Sequence, residues 1–250
     1  MHQLQGQKAV VVGGNRGLGL AMVESLLARG VRVTVVGRDE QRLKEVASRL
    51  GVAVVRGDAT DETLARSVIA DVRPTLLLLN AAALPGLAPI HEQTWEGFSR
   101  TWNNDVKATF HWLQQALRLP LAKGSRVLLS SSGAAVNGSP LSGGYAGAKR
   151  MIWLMAQYAG GLSKELELGI TVQVLVPRQM IGETEHGRVA AEAYAKRKGI
   201  GVGEFLAGFG APLSPKQVGE HVATLLTDPR YDDGIAYAVK GDTGIVSLDS

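Results

Sequence analysis

Short apolar segments alternate with longer amphipathic stretches along almost the entire chain. The short segments are rich in valine and leucine, and the stretches between them carry apolar residues at helical spacing. Parallel strands need a crossover connection, usually a helix, so this alternation favours a parallel sheet with helices on both faces. Strands are predicted at residues 8–13, 31–37, 52–57, 76–80, 126–130, 171–176 and 235–239.

Helices are predicted between these strands, at residues 18–28, 40–50, 61–72, 95–117, 145–168 and 215–226. This order indicates an α/β fold, a Rossmann-like, doubly wound three-layer sandwich with a seven-stranded parallel sheet. The chain has 250 residues, near the roughly 250 to 300 residues at which one hydrophobic core stops growing. Because no linker rich in Pro, Gly and Ser divides it, we expect a single domain over residues 1–250.

One irregular stretch, residues 177–212, separates the sixth predicted strand from the last predicted helix. It is polar and carries five glycines, at Gly199, Gly201, Gly203, Gly208 and Gly210. In an open α/β sheet, ligands bind outside the carboxyl ends of the strands, where this stretch begins. We therefore expect a helical substrate lid at about residues 178–212; the alternative is a surface excursion that contacts no ligand.

Composition excludes several classes of protein. The absence of cysteine removes disulfide scaffolds, thiol nucleophiles and thiolate metal sites. The net charge is +4, but the basic residues are scattered and no aromatic residues interleave with them, so nucleic-acid binding is not expected. No apolar run is long enough to span a membrane, and residues 1–8 carry no apolar secretory core. We expect a cytoplasmic protein whose partner is a small molecule.

A glycine-rich turn joins the first predicted strand to the first predicted helix. Gly13, Gly17 and Gly19 follow the spacing Gly-x-x-x-Gly-x-Gly, with Asn15 and Arg16 between them. Glycines at this position let the chain turn tightly and let backbone N–H groups at a helix N-terminus approach a pyrophosphate. The turn therefore predicts a dinucleotide site, although a glycine turn of this kind can also be purely structural.

The end of the second predicted strand indicates which dinucleotide is preferred. An NAD enzyme would be expected to place an acid there for the ribose 2′-OH, whereas an arginine accommodates a 2′-phosphate. This chain has Gly37 followed by Arg38, and Arg16 lies in the glycine turn. Two guanidinium groups suit a phosphate, so NADP is predicted over NAD. Asp39 either turns back to a ribose hydroxyl or caps the helix that follows.

A second motif begins the long helix predicted at residues 145–168. Tyr145 and Lys149 are four residues apart and share one helix face, so the ammonium favours the charged form of the phenol. A phenol so placed can exchange a proton with a substrate. Ser130, Ser131 and Ser132 close a predicted strand and so lie at the carboxyl edge of the sheet.

These motifs together resemble the classical short-chain dehydrogenase/reductase family, and the resemblance covers essentially the whole chain. Its phosphate turn matches the three glycines, and its Ser-Tyr-Lys set matches Ser132, Tyr145 and Lys149. Its Asn-Ala-Gly segment appears as Asn80, Ala81 and Ala82, and its adenine-contacting acid as Asp58. The implied cofactor residues are Gly13, Asn15, Arg16, Gly17, Leu18, Gly19, Arg38, Asp58, Ala59, Asn80, Ala81, Ala82, Tyr145, Lys149, Pro177 and Met180.

The resemblance implies an NADP(H)-dependent oxidoreductase, a carbonyl reductase or alcohol dehydrogenase. Ser132 would donate a hydrogen bond to the substrate oxygen, Tyr145 would supply or remove the proton, and Lys149 would hold the nicotinamide ribose. It also implies a homotetramer or dimer, with residues 95–117 and 145–168 as the seam. The alternative function is a nucleotide-binding sensor that keeps the fold and has lost turnover.

The sequence departs from the family pattern at two positions. Asp105 stands where the family has an asparagine whose backbone carbonyl holds a water in a proton relay; either that carbonyl is retained or the carboxylate pairs with Lys149. Arg178 stands where the family has glycine, and it either narrows the pocket, holds an acidic substrate or points to solvent. Among the histidines, no spacing suggests a metal site. His186 lies in the predicted lid and is expected to be an exposed loop residue; the alternative is that it reaches a substrate.

Overall fold

The computed structural model describes residues 3–249; residues 1, 2 and 250 of the predicted domain lie outside the described range. The strands form one twisted sheet in the order β3-β2-β1-β4-β5-β6-β7-β8. The strands are β1 (Lys8–Val12), β2 (Arg32–Gly37), β3 (Ala53–Arg56), β4 (Leu76–Leu79), β5 (Arg126–Ser130), β6 (Thr171–Pro177), β7 (Ala236–Lys240) and β8 (Gly244–Ser247). The predicted Rossmann-like α/β fold is confirmed.

The predicted strand count was one too low. The seven predicted strands are present and pair in parallel, but β8 adds an antiparallel edge next to β7, with Ala238 opposite Val246. The strand is only four residues long, and Val246 is exposed. A short, half-solvated edge strand lacks the continuous apolar run that marks a strand buried on both faces, which is why the sequence pattern missed it.

Helices cover both faces of the sheet, as predicted. Along the described residues they are α1 (Gly17–Leu27), α2 (Glu40–Leu50), α3 (Glu62–Val72), α4 (Trp95–Thr101), α5 (Lys107–Arg118), α6 (Ala134–Asn137), α7 (Gly144–Glu165), α8 (Glu185–Lys198), α9 (Val202–Ala207) and α10 (Pro215–Thr227). The helix predicted at residues 95–117 is interrupted: one π-helical turn, Trp102–Val106, joins α4 to α5. Such turns often occur at functional sites, and Asp105 lies within this one.

The period-two alternation of the strands divides the apolar residues between two cores. Ala9 and Val11 of β1 contribute to a cluster that includes Met22 of α1 and Val222 of α10. Val10 and Val12 of the same strand contribute to the opposite cluster, which includes Trp112 and Ile152. Burial on both faces holds the sheet rigid, so the loops at its carboxyl edge start from fixed positions.

The insertion between β6 and α10, called the lid here after its predicted role, is largely helical. It contains α8 and α9, which share a small apolar cluster of Ala191, Ala195 and Phe205. The Tyr194 ring stacks on Phe205 with 6.0 Å between centroids. The Tyr194 hydroxyl also lies 2.7 Å from Ser139 Oγ, so α8 is anchored to the loop before α7. Within residues 3–249 no helix is long and apolar enough to cross a bilayer.

Candidate active site

A large cavity of about 780 Å³ opens at the carboxyl ends of β1, β2 and β4. Here the strand order reverses direction between β1 and β4, which is where open α/β sheets bind ligands. Most of the predicted cofactor residues and one further site residue, Asp105, line it. They are Gly13, Asn15, Arg16, Gly17, Leu18, Arg38, Asp58, Ala59, Asn80, Ala81, Ala82, Asp105, Tyr145 and Lys149.

The glycine turn has the geometry that a dinucleotide requires. Gly13 has φ +80°, and a Cβ there would lie 2.7 Å from the Ala81 backbone, so a side chain is excluded. Gly19 does not line the cavity; a Cβ there would overlap the Gly13 carbonyl, so this glycine allows α1 to pack against the turn. No side chain caps the N-terminus of α1, whose N–H groups are therefore open to a phosphate.

Both arginines predicted to select NADP line this cavity, and both are ion-paired. Arg16 Nη1 contacts the Glu185 carboxylate of α8, and Arg38 Nη1 lies 3.6 Å from Asp58 Oδ2. Burial by itself would raise the pKa of Asp58, but hydrogen bonds from Thr60 and the Arg38 charge hold that pKa below its usual value. The sequence did not predict that Glu185 reaches the glycine turn. Asp39 caps α2 by accepting from Arg42 N at 3.1 Å.

The three consecutive serines have different partners. Ser130 Oγ donates to Asn80 Oδ1 at 2.9 Å, and Ser131 Oγ donates to the Lys149 carbonyl at 2.8 Å. These two hydroxyls therefore tie β5 to its neighbours. Ser132 Oγ accepts from Ala134 N at 3.2 Å, which leaves its own hydrogen free for a ligand. Ser132 lines a second cavity rather than the large one.

Lys149 is buried beside the Tyr145 phenol. Its Nζ lies 5.5 Å from the Tyr145 ring centroid, 3.1 Å from Asp105 Oδ2 and 3.4 Å from the Ser130 carbonyl. Burial alone would lower the pKa of Lys149, but attraction to Asp105 and Tyr145 outweighs it, so the pKa lies above its usual value. An ammonium has three N–H donors, so one remains for a ligand in the large cavity.

The structure favours one of the two interpretations of Asp105. Its carboxylate, fully buried on the π-helical turn, pairs with Lys149 through Oδ2. Its Oδ1 accepts from Ala83 N at 2.8 Å, in the loop that follows β4. The side chain, not only the backbone carbonyl, therefore belongs to the charge network of the site, and it fixes the loop on which Ala81 and Ala82 lie.

A second cavity of about 310 Å³ lies between the β5 and β6 loops and the lid. Its wall includes Ser132 and Tyr145, and its apolar side chains are Leu18, Leu87, Met180, Ile181, Phe205 and Phe209. Pro177 and Met180, predicted as cofactor residues, line this cavity and not the large one.

The prediction that His186 is an exposed loop residue was wrong. It is a half-buried residue in the first turn of α8, and it lines both cavities. Its Nε2 lies 2.9 Å from the Ala83 carbonyl. Burial lowers the pKa of His186, the Lys149 charge adds to that effect, and the Ala83 hydrogen bond opposes it. The histidine is therefore neutral at pH 7, and with Nε2 protonated it donates to that carbonyl.

Arg178 lies in the wall of the second cavity, so it does not simply extend into solvent. The sequence missed several other residues of the large cavity, among them Glu183, Glu185 and Arg188, which lie on α8 or in the loop before it. The glycine-rich, polar insertion predicted a lid segment as a unit. No local pattern marks which of its residues face inward.

Comparison with known proteins gives matches over most of the chain. A family model described as short chain dehydrogenase matches residues 7–193. A sorbitol dehydrogenase from Cereibacter sphaeroides is 29% identical over 189 residues, which cover 72% of this chain and 73% of that protein. A galactitol 2-dehydrogenase from Agrobacterium fabrum is 27% identical over 211 residues, which cover 81% of this chain and 80% of that protein.

A solved structure has the same fold over nearly the full length. It is a blue fluorescent protein from a metagenomic library, crystallised in complex with NADPH. The two structures align with a TM-score of 0.75 at 24% sequence identity, and the alignment covers 96% of this chain and 98% of the other.

Proposed function

Because the chain belongs to the short-chain dehydrogenase family, as its motifs predicted, we propose that it is an NADP(H)-dependent oxidoreductase acting on a carbonyl or secondary alcohol substrate. The observation that carries the proposal is the position of Tyr145. Its phenol borders both the large cavity at the glycine turn and the smaller, mainly apolar cavity under the lid. A proton donor shared by a cofactor cavity and a substrate cavity is what hydride transfer to a carbonyl needs.

The large cavity fits a dinucleotide. The N-terminus of α1 and the glycine turn would hold the pyrophosphate, and Asp58 with Ala59 would contact the adenine. Arg16 and Arg38 favour a 2′-phosphate, which would displace their present carboxylate partners. The similar structure was crystallised with NADPH, which agrees with this choice. When bound, the nicotinamide supplies or accepts the hydride.

The chain's own side chains handle the proton and the substrate oxygen. Ser132 donates its free hydrogen to that oxygen, and Tyr145 gives the proton in reduction or takes it in oxidation. The buried ammonium of Lys149 stabilises the phenolate and directs its remaining N–H to the nicotinamide ribose. Asp105 holds Lys149 in place. Sorbitol and galactitol dehydrogenases among the relatives are consistent with a secondary alcohol substrate.

One observation favours a second candidate function, a nucleotide-binding sensor without turnover. Asp105 neutralises the lysine of the site, and it stands where family members carry an uncharged asparagine. A lysine engaged by a carboxylate has less positive charge to offer the phenol. The complete set of Ser132, Tyr145 and Lys149 favours the enzyme.

The two functions are separated by titrating the purified protein with NADPH and with NADH, followed by nicotinamide fluorescence. A panel of ketones and β-keto esters is then tested with the cofactor that binds more tightly. We expect tighter binding of NADPH and its oxidation by at least one carbonyl. Binding without oxidation across the panel would favour the sensor, and tighter binding of NADH would overturn the assignment to Arg16 and Arg38.

A homotetramer, or a dimer within it, is part of the same proposal. The helices predicted as the seam expose large apolar side chains: Trp95 and Trp102 at the first helix, Phe110 on α5, and Tyr158 and Leu162 on α7. Exposed apolar patches of this kind mark interaction sites on soluble proteins.

A further inference from the structure

The second cavity carries one permanent positive charge and no negative one. Arg178 is the only lysine or arginine among the residues that line it, and none of them is Asp or Glu. His186, which also lines it, is not a second cation at neutral pH because burial lowers its pKa. The cavity under the lid is therefore electropositive on one side, at Arg178.

The Arg178 side chain is without a partner within residues 3–249. Its backbone N donates to the Val239 carbonyl at 3.0 Å, which fixes where the side chain begins. No ion pair joins the guanidinium to a described residue, and its Nε is buried without a hydrogen-bond partner among them. A buried N–H without an acceptor costs free energy, so a ligand that supplies an acceptor at Arg178 would be stabilised there.

The backbone at Arg178 is close to the proposed donors, Ser132 and Tyr145. Gly133 N donates to the Pro177 carbonyl at 2.7 Å, so the residues next to Ser132 and Arg178 are directly hydrogen-bonded. Both residues and Tyr145 line the same cavity of about 310 Å³. A small molecule that places its oxygen on Ser132 and Tyr145 is thus within reach of the guanidinium.

Part of the remaining wall is apolar. Met180, Phe205 and Phe209 line it, and the hydroxyl of Tyr194 is already used by Ser139 and by Leu141 N. This wall suits a hydrocarbon or aromatic body and offers little to a polyhydroxylated chain.

From this arrangement we propose that the substrate is an oxo acid or hydroxy acid, with a carboxylate that binds Arg178 and an apolar body that packs against the lid. The inference rests on the proposed function and names its substrate class. A single guanidinium presents two parallel N–H donors that match one carboxylate. A phosphate dianion carries two charges, whereas Arg178 is the only cation among the lining residues, so one carboxylate matches the charge of the cavity better.

The test compares acids with their methyl esters, because each ester keeps the carbonyl and the apolar body but lacks the charge. The probes are phenylglyoxylate and 4-oxo-4-phenylbutanoate, each with its methyl ester, reduced with NADPH. The variant is Arg178→Gln. The matched control is Arg197→Gln, the same charge change at an exposed position on α8 outside both cavities. Thermal unfolding checks that each variant folds.

For the unsubstituted protein we expect kcat/KM to be higher for at least one acid than for its ester. Arg178→Gln is expected to lower the acid-to-ester ratio by about 10- to 100-fold, mainly through the KM of the acid, since a charged hydrogen bond is lost. Arg197→Gln is expected to leave the ratio unchanged. Equal or better use of the esters, or an unchanged ratio in Arg178→Gln, would overturn the inference while leaving the reductase intact.

Ligand binding is measured separately from turnover, so that failure of the proposed function can be distinguished from failure of this inference. The same acids and esters are titrated into the NADPH complex and followed by quenching of nicotinamide fluorescence, in the unsubstituted protein and in Arg178→Gln. Acid binding that exceeds ester binding and depends on Arg178 would support the inference even without turnover, when only the enzyme proposal would fail. Absence of such binding would overturn the inference.

Discussion

The Asp105 carboxylate and the Lys149 ammonium form a buried ion pair, with 3.1 Å between Oδ2 and Nζ and no more than 4% of either side chain exposed. The pair joins the π-helical turn between α4 and α5 to the first turns of α7, and Asp105 also holds Ala83. Lys149 is thereby fixed beside Tyr145. A buried pair adds little stability over an apolar packing, but loss of one partner leaves an uncompensated charge.

We predict that Asp105→Ala destabilises the protein by about 3–5 kcal/mol, the cost typical of breaking a buried pair. Asp105→Asn is expected to cost less, because the amide oxygen still accepts from Ala83 N. The pKa of Lys149 is raised in the folded state, so its stabilisation is present below the unfolded pKa of about 10.4 and is lost only as pH rises through the folded value. Urea unfolding at pH 6 to 9 should therefore show a constant difference in unfolding free energy between the unsubstituted protein and Asp105→Ala.

The same pair affects the pH dependence of activity. Asp105→Asn removes the charge that raises the pKa of Lys149, so the midpoint of the high-pH limb of the pH–rate profile, where the ammonium is lost, should move to lower pH. A purely structural role for Asp105 would reduce the amount of folded enzyme without moving that midpoint.

Tyr145→Phe is expected to reduce turnover by about 10²- to 10⁴-fold, because it removes the proton donor and little else. NADPH binding should change little, since the ring and the glycine turn remain. Steady-state rates and a fluorescence titration on the same preparation check both parts. Turnover that survives the substitution would remove Tyr145 from the mechanism.

Cofactor choice is expected to depend on the charges around Arg16 and Arg38. Arg38→Asp should weaken NADPH binding about tenfold or more and spare NADH, because the 2′-phosphate loses a charged hydrogen bond. Glu185→Gln removes the lid carboxylate that pairs with Arg16, so it should tighten NADPH more than NADH. The matched control is Glu24→Gln on α1, whose carboxylate pairs with Arg49 and lies, like that arginine, outside both cavities. Equal shifts for both cofactors would contradict the assignment.

His186 gives the fold a specific dependence on pH. Its pKa is lowered in the folded protein, so below about pH 6.5 the unfolded chain binds more protons and stability falls with falling pH. In His186→Gln, whose amide can still donate to the Ala83 carbonyl, the decline in unfolding free energy from pH 7.5 to 5.5 should be shallower. Identical slopes in the two proteins would show that His186 titrates normally.

Charged side chains introduced at the proposed subunit interface test whether the protein is an oligomer. Tyr158→Glu with Leu162→Glu places two carboxylates on the exposed face of α7, and they should dissociate the oligomer because burial of unpaired charge is costly. Light scattering after size-exclusion chromatography measures the mass. The control is Val54→Glu on the β3 edge, which is similarly exposed but outside the seam. An unchanged mass in the double variant would place the interface elsewhere.

The local pattern of the sequence predicted the elements and the motifs. The alternation of strands and helices, the glycine turn before α1, and Tyr145 with Lys149 on one face of α7 depend on residues close together in the chain. Backbone geometry and helical spacing determine such relationships, so they could be predicted without knowing how the elements pack. The close approach of Gly19 to the Gly13 carbonyl is another relationship between residues that are near in the chain.

Contacts between distant residues required the tertiary structure. Arg16 and Glu185 are 169 positions apart, and His186 is 103 positions from Ala83. The ion pair of Asp105 with Lys149 depends on how the π-helical turn meets α7, and the exposure of Arg178 to the second cavity depends on where the lid lies. The sequence by itself determined which groups the chain offers for chemistry. Packing sets which of those charges are paired and which are buried, because burial and the distance between charges arise only when the elements come together.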